Sequence, residues 1–253
     1  AIIILENFAA TLEKVIARTQ VKVAVVASMG EILGGLKGAI VNFVVRNVKK
    51  MVPAFSLPNA VRFKTALREG AALRLQPVEL GHDDIAFLQY TGGTTGFPKG
   101  VMWRQEDLFL ALDSSNKNRL PERPDWEALA QRLGKPGPRN LPAAPLMHGT
   151  GLFNAMSNLM IGGSVITMPS RRFEAELLLD TIEEKRINSM SIVGDAFAKP
   201  ILRALEADIG KWDISSLRVI ISSGVMFSAE TKAGLLRYNS RLIMVDSLGS
   251  SEA

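Results

Sequence analysis

The sequence predicts an α/β fold of layered, mostly parallel sheets flanked by helices. Short apolar runs alternate along the chain with amphipathic stretches, as they do in βα units. The 253 residues are 47% hydrophobic and 22% charged, a composition typical of a folded globular chain and not of a disordered, collagen-like or coiled-coil one. There is no cysteine, which excludes disulfides, thiolate metal sites and cysteine nucleophiles. The net charge of +5 is compatible with phosphate-bearing ligands or an anionic surface, and we expect no nucleic-acid partner.

The predicted strands are the short apolar runs of the chain, at 2–5, 22–27, 85–91, 163–168, 189–193, 218–222 and 241–246. Residues 172–186 carry apolar side chains at helical spacing with acidic residues between them, which predicts a surface helix. Residues 113–141 are rich in turn-forming residues, and we expect a loop there around a short helix at 125–133.

Residues 35–53 are predicted to form a basic amphipathic helix that ends at Pro53. Its apolar face holds Ile40, Val41, Val44, Val45, Val48 and Val52, and its polar face holds Asn42, Arg46, Lys49 and Lys50. Either the valine face packs on a sheet while the lysines are solvated, or the helix lies on an anionic membrane. No apolar run reaches the ~20 residues that span a bilayer, and no secretory leader is evident. We expect a cytoplasmic protein. If the helix at 35–53 lies on an anionic membrane, we expect the protein at the inner face of that membrane.

The most informative stretch is TGGTTGFPKGV at 91–101, which follows a predicted strand. Glycines let the backbone approach phosphoryl oxygens, threonine hydroxyls donate to these oxygens or bind Mg²⁺, and Lys99 neutralises charge. The loop is not a standard P-loop, because Gly100 stands where Ser or Thr should follow the lysine, and it lacks the Rossmann glycine pattern. It predicts a phosphate-binding loop of another kind, with a Thr/Gly hairpin that binds nothing as the alternative.

Together with Tyr90, this loop resembles the phosphate-binding signature of the adenylate-forming superfamily, which comprises acyl-CoA synthetases, luciferases and peptide-synthetase adenylation domains. Three further stretches resemble motifs of that superfamily in the same order, namely PLMHGTG at 145–151, SSGVMFS at 222–228 and LGSSE at 248–252. The resemblance implies that 1–253 is a partial AMP-binding domain, taken from the large N-terminal domain of such an enzyme. It also implies that this domain is incomplete at both ends and that the mobile C-terminal domain is absent.

The resemblance assigns roles to residues of these four motifs. The implied ligands of the ATP phosphates are Thr91, Gly92, Gly93, Thr94, Thr95, Gly96 and Lys99, and Tyr90 before them is a further implied cofactor-binding residue. The implied contacts to the rest of the nucleotide are Gly224, Val225, Met226, Leu248, Gly249, Ser250 and Ser251. The implied catalytic residues are Lys99, Thr94, Glu252 and, at the mouth of the acyl pocket, His148. Glu252 and Thr94 are also the implied Mg²⁺ ligands, since hard oxygen atoms suit this ion.

Two positions depart from the superfamily's pattern. Gly93 stands where serine is frequent, which removes one hydroxyl donor, and Leu248 replaces an aromatic residue, which removes the flat surface expected beside the adenine. Taken alone, His148 is better explained as a structural histidine and Glu252 as one exposed acid among many. Only their positions within the motifs favour the roles given above.

The implied function is ATP-dependent ligation of a carboxylic acid to CoA, with Mg²⁺ as cofactor: an acyl-adenylate forms first, and the CoA thiol then displaces AMP. Residues 1–92 resemble long-chain fatty acid–CoA ligases, so a fatty acid is the preferred substrate. Residues from 97 onward resemble another acyl-CoA synthetase branch, which includes ligases for steroid side chains. We therefore expect the chain to be a mosaic of the two branches. Because the resemblance implies that parts of the enzyme are missing, we also expect the fragment to be inactive alone. A steroid or aryl acid as substrate, or a non-catalytic nucleotide-binding module, remains the alternative.

Overall fold

The computed structural model describes residues 1–92, 96–114, 127, 130, 131, 134, 136–170 and 172–250. The chain divides into two compact units, Ala1–Glu79 and Leu80–Ala253. Each unit contains a parallel sheet with helices packed against it, which confirms the predicted α/β class. Among the described helices, none has both the length and the apolar character that a membrane span requires.

The first unit is built on a three-stranded parallel sheet in the order β1-β2-β3. Its strands are β1 (Ile2–Leu5), β2 (Ala24–Ala27) and β3 (Ala60–Arg62). Its helices are α1 (Glu6–Ile16), α2 (Gly35–Phe43), which continues as a π-helical turn at Val44–Val48, and α3 (Phe63–Gly70). The small core consists of Leu12, Ile16 and Ala24, with Ile2 and Ile4 packed against them.

An ion pair between a buried carboxylate and a partly exposed arginine joins α1 to the π-helical turn. Glu6 is only 2% exposed, and Arg46 binds its carboxylate through two hydrogen bonds of 2.9 and 2.8 Å, while Arg62 lies 3.5 Å from it. Arg46, which the helical pattern places on the polar face, is thus a structural residue of this unit. The predicted apolar face is covered only in part, because Val45 is buried whereas Ile40 and Val48 are 54% and 66% exposed.

The second unit begins with an antiparallel hairpin of β4 (Ile85–Thr91) and β5 (Lys99–Arg104), followed by α4 (Gln105–Ser114). A five-stranded parallel sheet follows, in the order β10-β9-β8-β6-β7. Its strands are β6 (Arg139–Pro142), β7 (Ser164–Val165), β8 (Ser189–Ile192), β9 (Val219–Ser223) and β10 (Ile243–Ser247). The helices between them are α5 (Gly149–Met160), α6 (Ala175–Lys185), α7 (Gly194–Ala207) and α8 (Ala229–Tyr238).

The two faces of this sheet differ in character, because successive side chains of a strand point to opposite faces. One face carries Leu141, Met190 and Ile220, which are buried together with side chains of α6, α7 and α8 in the main core. The other face carries Asn140, Ser189, Val219, Ile221 and Val245, which line a cavity. The second face is therefore available for a ligand.

Several element boundaries differ from those predicted. Strands β3, β5 and β6 were not predicted, because β3 has only three residues and the other two contain charged, glycine or proline residues among their apolar ones. The strand predicted at 163–168 is reduced to Ser164–Val165, and the helix predicted over 172–186 runs from Ala175 to Lys185. Most of the predicted helix at 125–133 lies outside the described residues.

Candidate active site

The predicted phosphate-binding loop connects the two strands of the antiparallel hairpin. Thr91 pairs with Lys99, and Tyr90 pairs with Gly100. A Cβ atom added at Gly100 would lie 3.4 Å from the Tyr90 ring. Lys99 is exposed and makes no ion pair within the described part of the chain. Gly92 and Gly96 are described, whereas Gly93, Thr94 and Thr95 lie outside the described residues. The hairpin geometry is thus established, and phosphate binding by this loop stays a prediction.

The second predicted segment, 222–228, leaves the end of β9 and lies against the start of α7. Gly224 has a φ of 92° and Gly194 a φ of 47°, a backbone region that favours glycine. At Gly194 a Cβ would lie 2.4 Å from the carbonyl oxygen of Met226. The Gly194 amide donates to Ser222 Oγ at 2.9 Å, and the Asp195 amide donates to the Met226 carbonyl at 2.9 Å. These contacts hold the segment in one conformation.

The carboxylate of Asp195 continues this network. Its Oδ1 accepts a hydrogen bond from the Ser228 amide at 3.1 Å, and its Oδ2 lies 3.2 Å from Lys199 Nζ. Burial raises the pKa of Asp195, but hydrogen bonds from Ser228, Lys199 and Thr231 outweigh that effect and hold the pKa below its ordinary value. Sequence reasoning missed Gly194 and Asp195 as positioning residues. The available signal was a Gly-Asp pair directly after a buried strand.

The structure brings the 222–228 segment together with the end of β10. A cleft of about 500 Å³ is lined by Gly224, Val225 and Met226 on one side and by Leu248 and Gly249 on the other. The carboxyl ends of parallel strands meet at one edge of a sheet, which is where open α/β sheets bind ligands. Ser250 follows this cleft along the chain, whereas Ser251 and Glu252 lie outside the described residues.

Two side chains fix the end of β10 beside the cleft. Lys232 forms an ion pair with Asp246, and its ammonium lies 5.0 Å from the centre of the Phe227 ring. Leu248, in contrast, is fully exposed. No described residue of the cleft is aromatic except Phe227, which is buried.

The structure does not test the roles predicted for His148 and for the metal ligands. His148 precedes α5, its side chain is exposed, and it lines neither of the two cavities described here. Within the described residues there is no group of three or more histidine, aspartate or glutamate side chains able to hold a metal. Thr94 and Glu252 lie outside the described residues, so the magnesium site and the role of His148 stay predictions.

A larger cavity of about 830 Å³ lies between α5 and the second face of the sheet. Its apolar walls include Trp103, Phe153, Ile161 and Val245. Ser247, the last residue of β10, lines both this cavity and the smaller cleft, so the two spaces adjoin there. The sequence pattern did not predict this cavity, because its lining comes from seven helices and strands that are separate in the sequence.

The sequence matches the family described as AMP-binding enzyme over residues 6–253. It is 34% identical over 203 residues to the medium-chain acyl-CoA ligase Mig of Mycobacterium avium, covering 78% of this chain and 36% of that protein. A long-chain-fatty-acid–CoA ligase of Escherichia coli O6:H1 is 45% identical over 116 residues, which cover 46% of this chain and 21% of that protein. The 3-oxocholest-4-en-26-oate–CoA ligase of Rhodococcus rhodochrous is 34% identical over 204 residues, covering 78% and 36%. The chain thus spans between 21% and 36% of the length of these relatives.

Solved structures show the same fold. The N-terminal domain of FACL13 from Mycobacterium tuberculosis matches with a TM-score of 0.61 at 19% identity, over 96% of this chain and 54% of that one. A long-chain-fatty-acid-CoA ligase, FadD1, from Archaeoglobus fulgidus matches with a TM-score of 0.56 at 20% identity, over 99% and 42%.

Proposed function

Because this chain belongs to the family of AMP-binding enzymes, we propose that it forms part of an ATP-dependent acyl-CoA ligase. A carboxylate oxygen of the acid attacks the α-phosphorus of ATP, and the bond to pyrophosphate breaks. The CoA thiol then attacks the acyl carbonyl carbon and AMP leaves. The observation that carries this proposal is that the nucleotide cleft and the apolar cavity adjoin at Ser247, so an acid in the cavity can present its carboxylate to a nucleotide in the cleft.

The described residues supply binding and positioning for this reaction. The loop at 224–227 is held by Gly194 and Asp195, so it needs no rearrangement when a nucleotide binds beside it. The exposed ammonium of Lys99, at the end of the hairpin loop, is suited to neutralise phosphate charge. We assign Mg²⁺ to Glu252 and Thr94, whose oxygen atoms suit that ion. When bound, the metal supplies charge neutralisation at the phosphates.

A fatty acid is the substrate that we propose for the cavity. Its apolar walls and its volume of about 830 Å³ suit a long aliphatic chain, and two of the relatives described above act on medium-chain or long-chain acids. The similarity to the 3-oxocholest-4-en-26-oate–CoA ligase supports a steroid acid as the second candidate. Binding of dodecanoate in preference to a steroid side-chain acid of equal concentration would support the first candidate, and the reverse preference the second.

Nucleotide binding by this chain tests the proposal directly. We expect the chain to bind a fluorescent ATP analogue and Gly224→Val to weaken this binding by about tenfold or more, because the side chain would project at the cleft and strain a backbone with a φ of 92°. The matched control is Gly210→Val, which changes another glycine of positive φ, 84°, with no atom within 4 Å of the added Cβ. The proposal is wrong if the unmodified chain binds no adenine nucleotide. If it binds ATP and the acid but the whole enzyme forms no acyl-adenylate, a non-catalytic nucleotide-binding module becomes the better assignment.

We also propose that 35–53 contacts the inner face of an anionic membrane, which places the protein in the cytoplasm. The support is that Leu36, Ile40 and Phe43 are 77%, 54% and 61% exposed, and that Lys37, Lys49 and Lys50 lie on the same segment. We expect the chain to co-sediment with phosphatidylglycerol vesicles more than with phosphatidylcholine vesicles, and Ile40→Asp to abolish this. Leu67→Asp, at a 57% exposed apolar residue of α3, is the matched control. Equal sedimentation with both vesicle types would contradict the proposal.

A further inference from the structure

The larger cavity contains a buried hydrogen-bond acceptor that has no partner. Asn140 is only 2% exposed and lines the cavity. Its Nδ2 donates to Ser189 Oγ at 2.9 Å, whereas its Oδ1 is buried without any hydrogen-bond partner among the described residues. Buried acceptors are almost always paired with protein or with water, so an unpaired one that lines a cavity indicates a donor that enters the cavity, either a ligand or a water molecule.

This acceptor lies at the end of the cavity away from the nucleotide cleft. Asn140 is in register with Ser189, and Ser189 with Val219, so these residues form a row near the start of their strands. Ser247, where the cavity adjoins the cleft, is in register with Ser223 at the end of β9. At the usual rise of a β-strand, Val219 and Ser223 are separated by roughly 13 Å. The cavity therefore runs along the strands from the cleft to the row that contains Asn140.

A cationic donor lies beside the same row. Arg218 directly precedes β9 and lines the cavity, and its backbone amide is bound to the Asn188 carbonyl at 2.7 Å. Its guanidinium group is exposed and makes no hydrogen bond or ion pair with any of the residues that the structure describes. The neighbouring Asn188 is already used structurally, because its Oδ1 accepts from the Arg139 amide at 2.9 Å. One acceptor and one cationic donor thus remain available at this end.

From this juxtaposition we propose that the acid carries a hydroxyl group at the end remote from its carboxylate. The hydroxyl hydrogen is donated to Asn140 Oδ1, and the hydroxyl oxygen accepts from the Arg218 guanidinium. The proposal rests on the proposed function, since it requires the carboxylate to lie at Ser247, and it narrows the substrate class to hydroxylated acids. A plain alkyl end would leave the Asn140 acceptor buried and unpaired, which disfavours its binding.

The test compares fatty acids with their ω-hydroxylated counterparts of equal length, from octanoic to hexadecanoic acid. Affinities are measured on the full chain by displacement of a fluorescent fatty acid, in parallel with binding of the ATP analogue. We expect the preference for the hydroxylated acid to peak at one chain length, where it reaches about tenfold. A water molecule bound to Asn140 would give no such peak.

Two variants assign the preference to the two side chains. Asn140→Leu and Arg218→Met are each expected to reduce the preference to less than about twofold. Arg218 is exposed, so its variant is tested even if Asn140→Leu fails to fold. The matched control is Asn154→Leu, at another asparagine of the same cavity, whose Nδ2 is already bound to the Thr150 carbonyl at 2.6 Å. The control is expected to alter both affinities equally.

The outcomes separate this inference from the function beneath it. If the chain binds the plain and the hydroxylated acids equally at every length, or if neither variant changes the preference, the inference is wrong while the proposed function stands. If the chain binds the ATP analogue but neither kind of acid, the inference fails together with the assignment of the cavity. If it binds neither the nucleotide nor the acids, the proposed function fails as well.

Discussion

The carboxylate of Asp195 accepts a hydrogen bond from the backbone amide of Ser228 at 3.1 Å. Asp195 lies in the first turn of α7, and Ser228 is the residue that caps α8, where its Oγ accepts from the Thr231 amide at 3.3 Å. One hydrogen bond thus connects the starts of two helices, and the loop 224–227, which precedes the second of them, forms one wall of the cleft that we propose for the nucleotide. The stability of the second unit and the shape of that cleft therefore depend on the same side chain.

Asp195→Ala is expected to destabilise the second unit by about 2 kcal/mol, since it leaves the Ser228 amide without its charged acceptor. Urea unfolding followed by circular dichroism measures this loss. Asp208→Ala is the control, because Asp208 is exposed near the end of the same helix and its ion pair with Lys211 is 3.5 Å long. An equal loss of stability in both variants would contradict the role given to Asp195.

Gly194→Ala is expected to weaken nucleotide binding by about tenfold, because its methyl group would lie 2.4 Å from the Met226 carbonyl oxygen and displace the wall of the cleft. Titration with the fluorescent ATP analogue measures the change. Gly34→Ala is the matched control, because Gly34 also has a positive φ, 63°, but no atom lies within 4 Å of the added Cβ. Unchanged affinity in Gly194→Ala would show that the loop does not contribute to nucleotide binding.

Protonation of Asp213 is expected to lower the stability of the second unit as the pH falls in the acid range. Hydrogen bonds from Ser215, followed by the contact with Arg186, lower the pKa of Asp213 to about 2. Because the unfolded chain takes up this proton near pH ~3.9, the contribution of Asp213 is complete above that value and is lost as the pH falls towards 2. Melting temperatures measured across this range should decline less steeply in Asp213→Asn. They should also decline less steeply in Arg186→Met, and an unaltered slope in both variants would refute the assignment.

Arg46→Met is expected to destabilise the first unit by about 3 kcal/mol, because it removes the closest partner of the buried Glu6 carboxylate. The double variant Glu6→Met/Arg46→Met should recover much of this loss, since no buried charge then remains. A double-mutant cycle on urea unfolding, completed with Glu6→Met, gives the coupling energy. Additive effects of the two substitutions would show that the ion pair contributes no coupling.

The sequence pattern predicted the strands whose apolar runs are uninterrupted. The predicted limits 2–5 and 85–91 coincide with β1 and β4. Strand β6 escaped prediction because its sequence, RNLP, has one apolar residue between polar ones and proline, and its conformation depends on pairing with β7 and β8. Pairing partners of this kind are distant in sequence, so no local pattern reports them.

The same distinction applies to the candidate site. The motif at 222–228 begins at the end of β9 and the motif at 248–252 follows β10, and the parallel pairing of these strands brings 222–227, Leu248 and Gly249 to one cleft. Nucleotide binding by these residues stays a prediction. The polar row at Asn140 depends on the register between β6 and β8 and on an unpaired atom. Neither can be read from a single sequence, so this part of the cavity became visible only in three dimensions.

The pairing of Thr91 with Lys99 also determines where the hairpin can change in length. Because side chains alternate along a strand, inserting or deleting one residue in β5 between Lys99 and its neighbours would move every following side chain to the other face of the hairpin, including Trp103, which packs against Phe153 at 5.4 Å. A change in length within 92–98, in contrast, leaves the pairing of β4 with β5 intact. We therefore expect natural length variation in relatives of this chain to be confined to the loop and excluded from β5.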